Sequence, residues 1–279
     1  MKTIFITGNH PRHIYLVKKF SKFFKNFKWI VEVREINKNH TILKKKSKIY
    51  NKHISDFEKK EKIFFKNTNK FLKKNSRKIS TINRKISNYL VFNKIIINEV
   101  KLFQPQILFS YGCQKIDIKN LKKIRKNLKS FNIHGGLLPK YRGVNTNFWP
   151  HWNLESNYIG LTMHDLTDKI DTGDIFYQTT ASIENDSTIN SLSCKATKNF
   201  CNIVPKKIYL SLKRNLNLKG IKYETRSKLW KKKDFTPRDI KVAYENFKLF
   251  KKNKKYKTKP KLININYYFR VILKYKLNL

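Results

Sequence analysis

Three polar side chains within residues 131–175 have the types and spacing to carry chemistry: Asn132, His134 and Asp171. Asn132 and His134 stand two apart, a spacing that puts both on one face of a β-strand. Residues 128–133 predict a short strand that Gly135-Gly136 ends. The pair then sits at a strand's C-terminal end, where open α/β sheets place their ligands. Asp171 follows a second predicted strand, 158–166, and precedes the sharp turn of Thr172-Gly173. An amide, an imidazole and a carboxylate suit the attack of an amine on a carbonyl. The amide N–H stabilises the oxygen as it gains charge. The imidazole moves a proton between incoming and leaving amine, and the carboxylate orients it or relays the proton. No Ser or Cys here has the setting of a nucleophile, so direct transfer fits better than a covalent acyl-enzyme.

The surrounding residues carry a resemblance. Asn132-Ile133-His134, Leu137-Leu138-Pro139-Lys140-Tyr141-Arg142-Gly143, Gly160-Leu161-Thr162 and Asp171-Thr172-Gly173-Asp174-Ile175 occur in that order. Together they resemble the folate-dependent formyltransferases, which include glycinamide ribonucleotide, methionyl-tRNA and nucleotide-sugar N-formyltransferases. The resemblance spans about residues 86–180 and, more weakly, reaches back to residue 3. It implies an enzyme that moves a formyl group from 10-formyltetrahydrofolate, as co-substrate, to a primary amine. It also implies that Asn132, His134 and Asp171 are catalytic. By the same resemblance Tyr111, Gly112 and Gln114 lie against the pterin, and Gly136, Leu137, Leu138 and Pro139 form a loop beside the folate, with Asp168 at the next turn.

The flanking elements must position these residues. Residues 2–7 predict an apolar strand and residues 14–24 a helix, with Gly8-Asn9-His10-Pro11-Arg12-His13 between them, a start suited to anions. The Gly-rich phosphate turn of the purine-pathway relatives is absent there, and Arg12 is the candidate phosphate clamp or an exposed helix-start cation. Residues 29–36 predict a second strand. Residues 37–83 predict one or two amphipathic helices that bury Phe57, Ile63, Phe64, Phe65 and Phe71. Residues 83–104 predict a helix with Ile86, Leu90, Ile96, Val100 and Phe103 on its apolar face, closed by Pro105. Residues 106–111 predict a buried strand and 119–129 a crossover helix. Trp149 and Trp152 predict the packing of a short helix, with an acceptor wall as the other reading. His164 is read as structural or as support for the site. Residues 175–181 predict the final strand, Asp186-Ser187 a helix cap, and Ile189, Leu192, Ala196, Phe200 and Val204 the helix's apolar face. Thr236 and Pro237 predict a capped helix start.

The expected fold is α/β, a doubly wound, mostly parallel Rossmann-like sheet over residues 1–205, with a small, partly helical extension over 206–279. The chain's 279 residues and 40% hydrophobic content support a full core. Its net charge of +45 and pI near 10.2 come mostly from Lys spread along the chain, beside abundant Asn and Ile. All three have A/T-rich codons, so the charge reads as compositional, with attraction of an anionic acceptor as the alternative. Cys113, Cys194 and Cys201 show no metal spacing and fit a reducing cytoplasm. No metal, stable nucleic-acid partner or transmembrane segment is expected. Residues 1–7 are too short for a signal-peptide core. Residues 263–279 read as terminal packing, with contact to a membrane surface as the alternative. A small amine acceptor, first a nucleotide-linked amino sugar, is expected, with a homodimer left open. Glycinamide ribonucleotide, methionyl-tRNA, or a non-catalytic folate-, nucleotide- or RNA-binding role remain the alternatives.

Overall fold

The computed structural model describes residues 1–33, 47–214, 218–253 and 259–264. The apolar runs become strands of one sheet: β1 (Thr3–Gly8), β2 (Phe27–Val33), β3 (Ile79–Asn83), β4 (Ile107–Tyr111), β5 (Lys129–His134), β7 (Gly160–Asp165) and β8 (Ile175–Thr180). Their order is β3-β2-β1-β4-β5-β7-β8. The first five are parallel, and β7 and β8 add antiparallel at one edge. The chain leaves β1 toward one edge and β4 toward the other, so β1 and β4 flank the switch point where such sheets open a ligand crevice.

Alternation along the strands feeds two cores. Phe5, Ile107, Phe109, Tyr111, Phe131 and Ile133 face one side, with helices α1 (Pro11–Phe20) and α7 (Ile189–Arg214). Ile4, Ile6 and Leu108 face the other, with α4 (Tyr89–Phe103) and α5 (Ile118–Ile124). Phe109 is the centre of the first core. It stacks on Phe5 at 5.7 Å and Phe131 at 5.4 Å and meets Phe20 and Phe24 edge-on. Phe109→Ala is expected to cost about 3–5 kcal/mol, read as a lower urea midpoint at unchanged slope.

The Lys-rich region yields α2 (Lys48–Phe64) and α3 (Thr68–Lys74), and also the edge strand β3, which the sequence reading missed. Only Ile82 of β3 is buried, so its apolar signal is faint. Helix α2 buries Tyr50, His53 and Glu61 and leaves Ile63 57% exposed, contrary to expectation, while Phe65 just beyond it is buried and Phe71 packs against the first core as expected. Helix α4 starts at Tyr89 with Asn88 as its cap, and the buried phase is Phe92, Asn93, Ile96 and Val100. Ile86 and Leu90 therefore point to solvent at 81% and 74% exposure, another correction. For α7 the cap is Thr188, whose hydroxyl accepts from the Ser191 N–H, in place of Asp186-Ser187. Its expected apolar face is buried throughout.

Helix α7 passes residues 205 and 206 without a break. Beyond it, Leu218, Trp230, Phe235, Ile240, Ala243, Phe247 and Phe250 join the first core. Helix α8 (Pro237–Lys252) has the predicted Thr236 cap, completed as a capping box by Asp239. It packs on the short helix α6 (Trp149–Trp152), where Trp149 is fully buried. Residues 34–36 of the expected second strand and 265–279 of the expected terminal packing lie outside the described residues. Among the described residues no helix is long and apolar enough to cross a membrane.

Candidate active site

The Asn132-His134 pair ends β5, and period-2 alternation turns both away from Phe131 and Ile133. The neighbouring strands complete the face. Ser110 of β4 pairs in register with Asn132, and β7 pairs antiparallel so that His164 lies opposite Asn132. The loop after β7 then brings back Asp171.

The hydrogen bonds fix each group's orientation. Ser110 Oγ donates to Asn132 Oδ1 at 2.9 Å. His164 Nδ1 donates to the Asp165 carbonyl at 2.7 Å, which leaves its Nε2 to accept from Asn132 Nδ2 at 3.1 Å. One amide N–H of Asn132 is thus engaged, and the other is uncommitted among the described residues. His134 Nε2 donates to the Tyr141 carbonyl at 2.7 Å, which fixes Nδ1 as the atom where a proton comes and goes. That Nδ1 lies 3.3 Å from Asp171 Oδ1, and His164 Nε2 lies 3.7 Å from the same oxygen.

Electrostatics follow from burial and neighbours. Burial alone would raise the Asp171 carboxyl. His134, His164 and the Gly143 N–H more than offset it and hold the group down at about 2. The Gly143 N–H donates to Asp171 Oδ2 at 2.8 Å. Burial pushes the His134 imidazole below its ordinary value, against the upward pull of Asp171. The pair is therefore a carboxylate beside a neutral imidazole whose Nδ1 can take a proton.

Asp171 occupies a left-handed backbone position, φ 51°, which Asp tolerates better than most residues. The turn closes through Gly173, where an added Cβ would lie 1.9 Å from the Asp165 carbonyl oxygen. The close return of the chain to β7, sealed by the Asp165 N–H to Asp174 carbonyl bond, requires glycine there.

A cleft of about 1300 Å³ opens over these residues. Tyr111, Gly112, Gln114, Asn132, His134, Asp168 and Asp171 all line it. Gln114 Nε2 donates to the Ser87 carbonyl at 3.3 Å, and Asp168 pairs with Lys119 at 3.3 Å. Gly136, Leu137, Leu138 and Pro139 are not on its wall. The Thr162 hydroxyl donates to the Gly136 carbonyl and accepts from the Leu138 N–H, and Gln178 Nε2 donates to the Leu138 carbonyl. In this structure the loop braces the end of β5 instead of facing the cleft. Arg12 also lines the cleft, but it is ion-paired with buried Glu61 of α2 and packs over Phe57, so it is not a free phosphate clamp. Trp149 is core, stacked on Trp230 at 3.8 Å.

His164, Ser110, Arg142 and Tyr223 belong to the site's framework, and sequence reasoning gave them little or no part. The strand phase of His164, shared with Thr162 and opposite to Met163, was the one available signal.

A mixed, mostly parallel sheet brings an amide, an imidazole and a carboxylate together at its switch-point crevice, an α/β arrangement suited to group transfer at a carbonyl. The family model described as Formyl transferase matches residues 28–208, well over half of the chain, and the chain belongs to that family. It is 39% identical over 121 residues to the bifunctional polymyxin resistance protein ArnA of Wigglesworthia glossinidia brevipalpis, covering 43% of this chain and 18% of that protein. It is 30% identical over 129 residues to the methionyl-tRNA formyltransferase of Caldicellulosiruptor saccharolyticus, covering 41% of this chain and 40% of that one. The matched region thus spans less than half the length of either relative. The structure of WlaRD, a sugar 3N-formyl transferase in the presence of dTDP and 5-N-formyl-THF, shares the fold. Its TM-score is 0.54 at 23% identity, over 88% of this chain and 79% of that one. The chain is thus a member of the formyl transferase family, with the expected α/β fold.

Proposed function

We propose that this formyltransferase takes its formyl group from 10-formyltetrahydrofolate and transfers it to the primary amine of a nucleotide-linked amino sugar, using Asn132, His134 and Asp171. The observation that carries the reading is their convergence on one cleft, larger than the ~300–1,000 Å³ of an ordinary single-ligand pocket. The residues fit a folate on one side of the triad. Tyr111, Gly112 and Gln114 line the cleft, and Lys115 offers a cation to a carboxylate tail, whereas Arg84 is paired with buried Glu32. Bound there, the donor supplies the carbon that the amine attacks.

The protein's own groups then act as follows. The uncommitted N–H of Asn132 donates to the formyl oxygen as it gains charge, and its direction is held by Ser110 and His164. His134 Nδ1 accepts the proton of the attacking amine, with Asp171 Oδ1 beside it to stabilise the imidazolium, and gives it to N10 of the donor as the formyl C–N10 bond breaks and tetrahydrofolate leaves. His164 holds the Asn132 amide and adds its ring to the Asp171 environment.

Tyr50, His53, Phe148 and Phe235, with Lys231 and Lys232, also line the cleft. Aromatic faces and ammonium groups suit a base and a pyrophosphate. The sugar N-formyltransferase with the same fold, described in the presence of dTDP, supports this acceptor class. Arg12, occupied by Glu61, gives no free counterpart to a phosphate turn and speaks against glycinamide ribonucleotide.

The test is an acceptor panel of nucleotide-linked 3-amino and 4-amino sugars, glycinamide ribonucleotide and charged initiator tRNA, each with 10-formyltetrahydrofolate. Tetrahydrofolate release is expected with a nucleotide-linked amino sugar and is read by absorbance and product mass. Turnover only with ribonucleotide or tRNA would overturn this acceptor while leaving the transfer chemistry in place.

A further inference from the structure

Residues 218–235 grip the turn that carries Asp171. Tyr223 Oη donates to the Asp171 carbonyl at 2.9 Å. Arg142 Nε donates to the same carbonyl at 3.2 Å, and its Nη2 donates to the Ile170 carbonyl at 3.0 Å. Both acceptor directions of the Asp171 carbonyl are thus used. Arg142 is itself tied to the C-terminal segment: its Nη1 reaches the Ser227 carbonyl at 3.5 Å. The two-residue strand β6 (Arg142–Gly143) pairs in parallel with β9 (Leu229–Trp230).

The grip is tight at both ends of the segment. Upstream of Tyr223, Ile221 and Ile175 exchange backbone hydrogen bonds of 2.8 and 2.9 Å. Downstream, the Val144 N–H donates to the Trp230 carbonyl at 3.0 Å, and the Trp230 ring lies flat on Trp149. Gly143, at φ 96°, lets the two backbones meet: an added Cβ would stand 2.1 Å from the Trp230 carbonyl oxygen. Its own N–H holds Asp171 Oδ2. Tyr223 touches neither His134 nor Asn132 among the described hydrogen bonds. What it fixes is the left-handed residue whose carboxylate faces His134. Burial, with the Asp171 carboxylate nearby, pushes the Tyr223 phenol up, so it remains a donor.

We propose that Tyr223 is a positioning residue for formyl transfer. Its hydroxyl, with Arg142, clamps the Asp171 main chain, sets the carboxylate against His134 Nδ1, and makes residues 218–235 a working part of the transfer site. This rests on the reading of Asn132, His134 and Asp171 given above. A displaced general-base pair costs rate while leaving substrate contacts alone, so the effect belongs in kcat.

The test is Tyr223→Phe, which keeps the ring and removes one O–H. Its kcat is expected to fall about tenfold, with KM for donor and acceptor unchanged within about twofold. The His134 imidazole, titrated by NMR, is expected to move to lower pKa, because Asp171, which raises it, is less well held. In an Asp171→Asn background the same substitution should cost nothing further, as befits a residue acting through Asp171. An unchanged kcat, or an equal loss in both backgrounds, would overturn the proposal. Full activity of Asp171→Asn alone would overturn the reading of the site and this inference with it. An impaired Asp171→Asn with a silent Tyr223→Phe would overturn this inference alone.

Discussion

Asn132→Ala is expected to lower the rate of formyl transfer ~100- to 1,000-fold, the usual cost of losing an oxyanion donor. The expectation follows from the amide's fixed orientation. Ser110 holds Oδ1 and His164 takes one N–H, so the other N–H is aimed before the substrate arrives. Pre-organised donors stabilise developing charge without reorganising, and the whole of that advantage is lost on truncation. The substitution strands His164 Nε2, while Ser110 Oγ keeps the Phe131 carbonyl at 3.3 Å, a stability cost of about 1–3 kcal/mol, too little to unfold a sheet of this size. Single-turnover rates beside a thermal melt separate the two effects. A normal rate in a folded variant would show that the oxygen is stabilised elsewhere.

The second large effect is at Asp171. Asp171→Asn removes the charge that steadies a protonated His134 and is expected to lower kcat roughly 100-fold or more. The direction in pH follows from the two groups. His134 lies below its ordinary value because it is buried, so the acid limb of kcat should fall below pH ~6.5, the unperturbed histidine value. Asp171 pulls that pKa upward. Removing it moves the limb to still lower pH while the plateau drops. Stability behaves alike in sign. Both folded-state values are depressed, so both groups contribute stability that is present above their unfolded values. The His134 contribution begins to fade as pH drops below about 6.5, and that of Asp171 is lost as pH falls from about 4 toward about 2. A limb that moves to higher pH in Asp171→Asn would contradict the assigned charge pair.

Much of the site was legible because its signals are local. Two residues with a period-2 spacing share a strand face whatever the tertiary fold, and Gly135-Gly136 and Thr172-Gly173 mark the turns beside them. The roles of His164 and Ser110 were hidden because they depend on strand register, set by pairing between segments 22 to 32 residues apart in sequence. Tyr223 and Arg142 were hidden for the same reason at longer range. The folate-loop residues Gly136, Leu137, Leu138 and Pro139 carry a legible pattern, but the hydrogen bonds of Gly136 and Leu138 to Thr162 and Gln178 turn the loop inward. In the fold, β3 escaped notice because an edge strand buries little. Ile96 and Val100 of the expected α4 face are buried, and only Ile86 and Leu90 were misplaced, because Ile and Leu are also tolerated in water near a helix start.

The measurement closest to the central claim is single-turnover release of tetrahydrofolate from protein loaded with 10-formyltetrahydrofolate and the acceptor amine, compared between wild type and His134→Ala. Rapid release in wild type, with the formyl mass appearing on the acceptor, and a loss of ~100-fold or more in the variant is the predicted result. Release at the wild-type rate from His134→Ala would contradict the assignment of proton transfer to the His134–Asp171 pair.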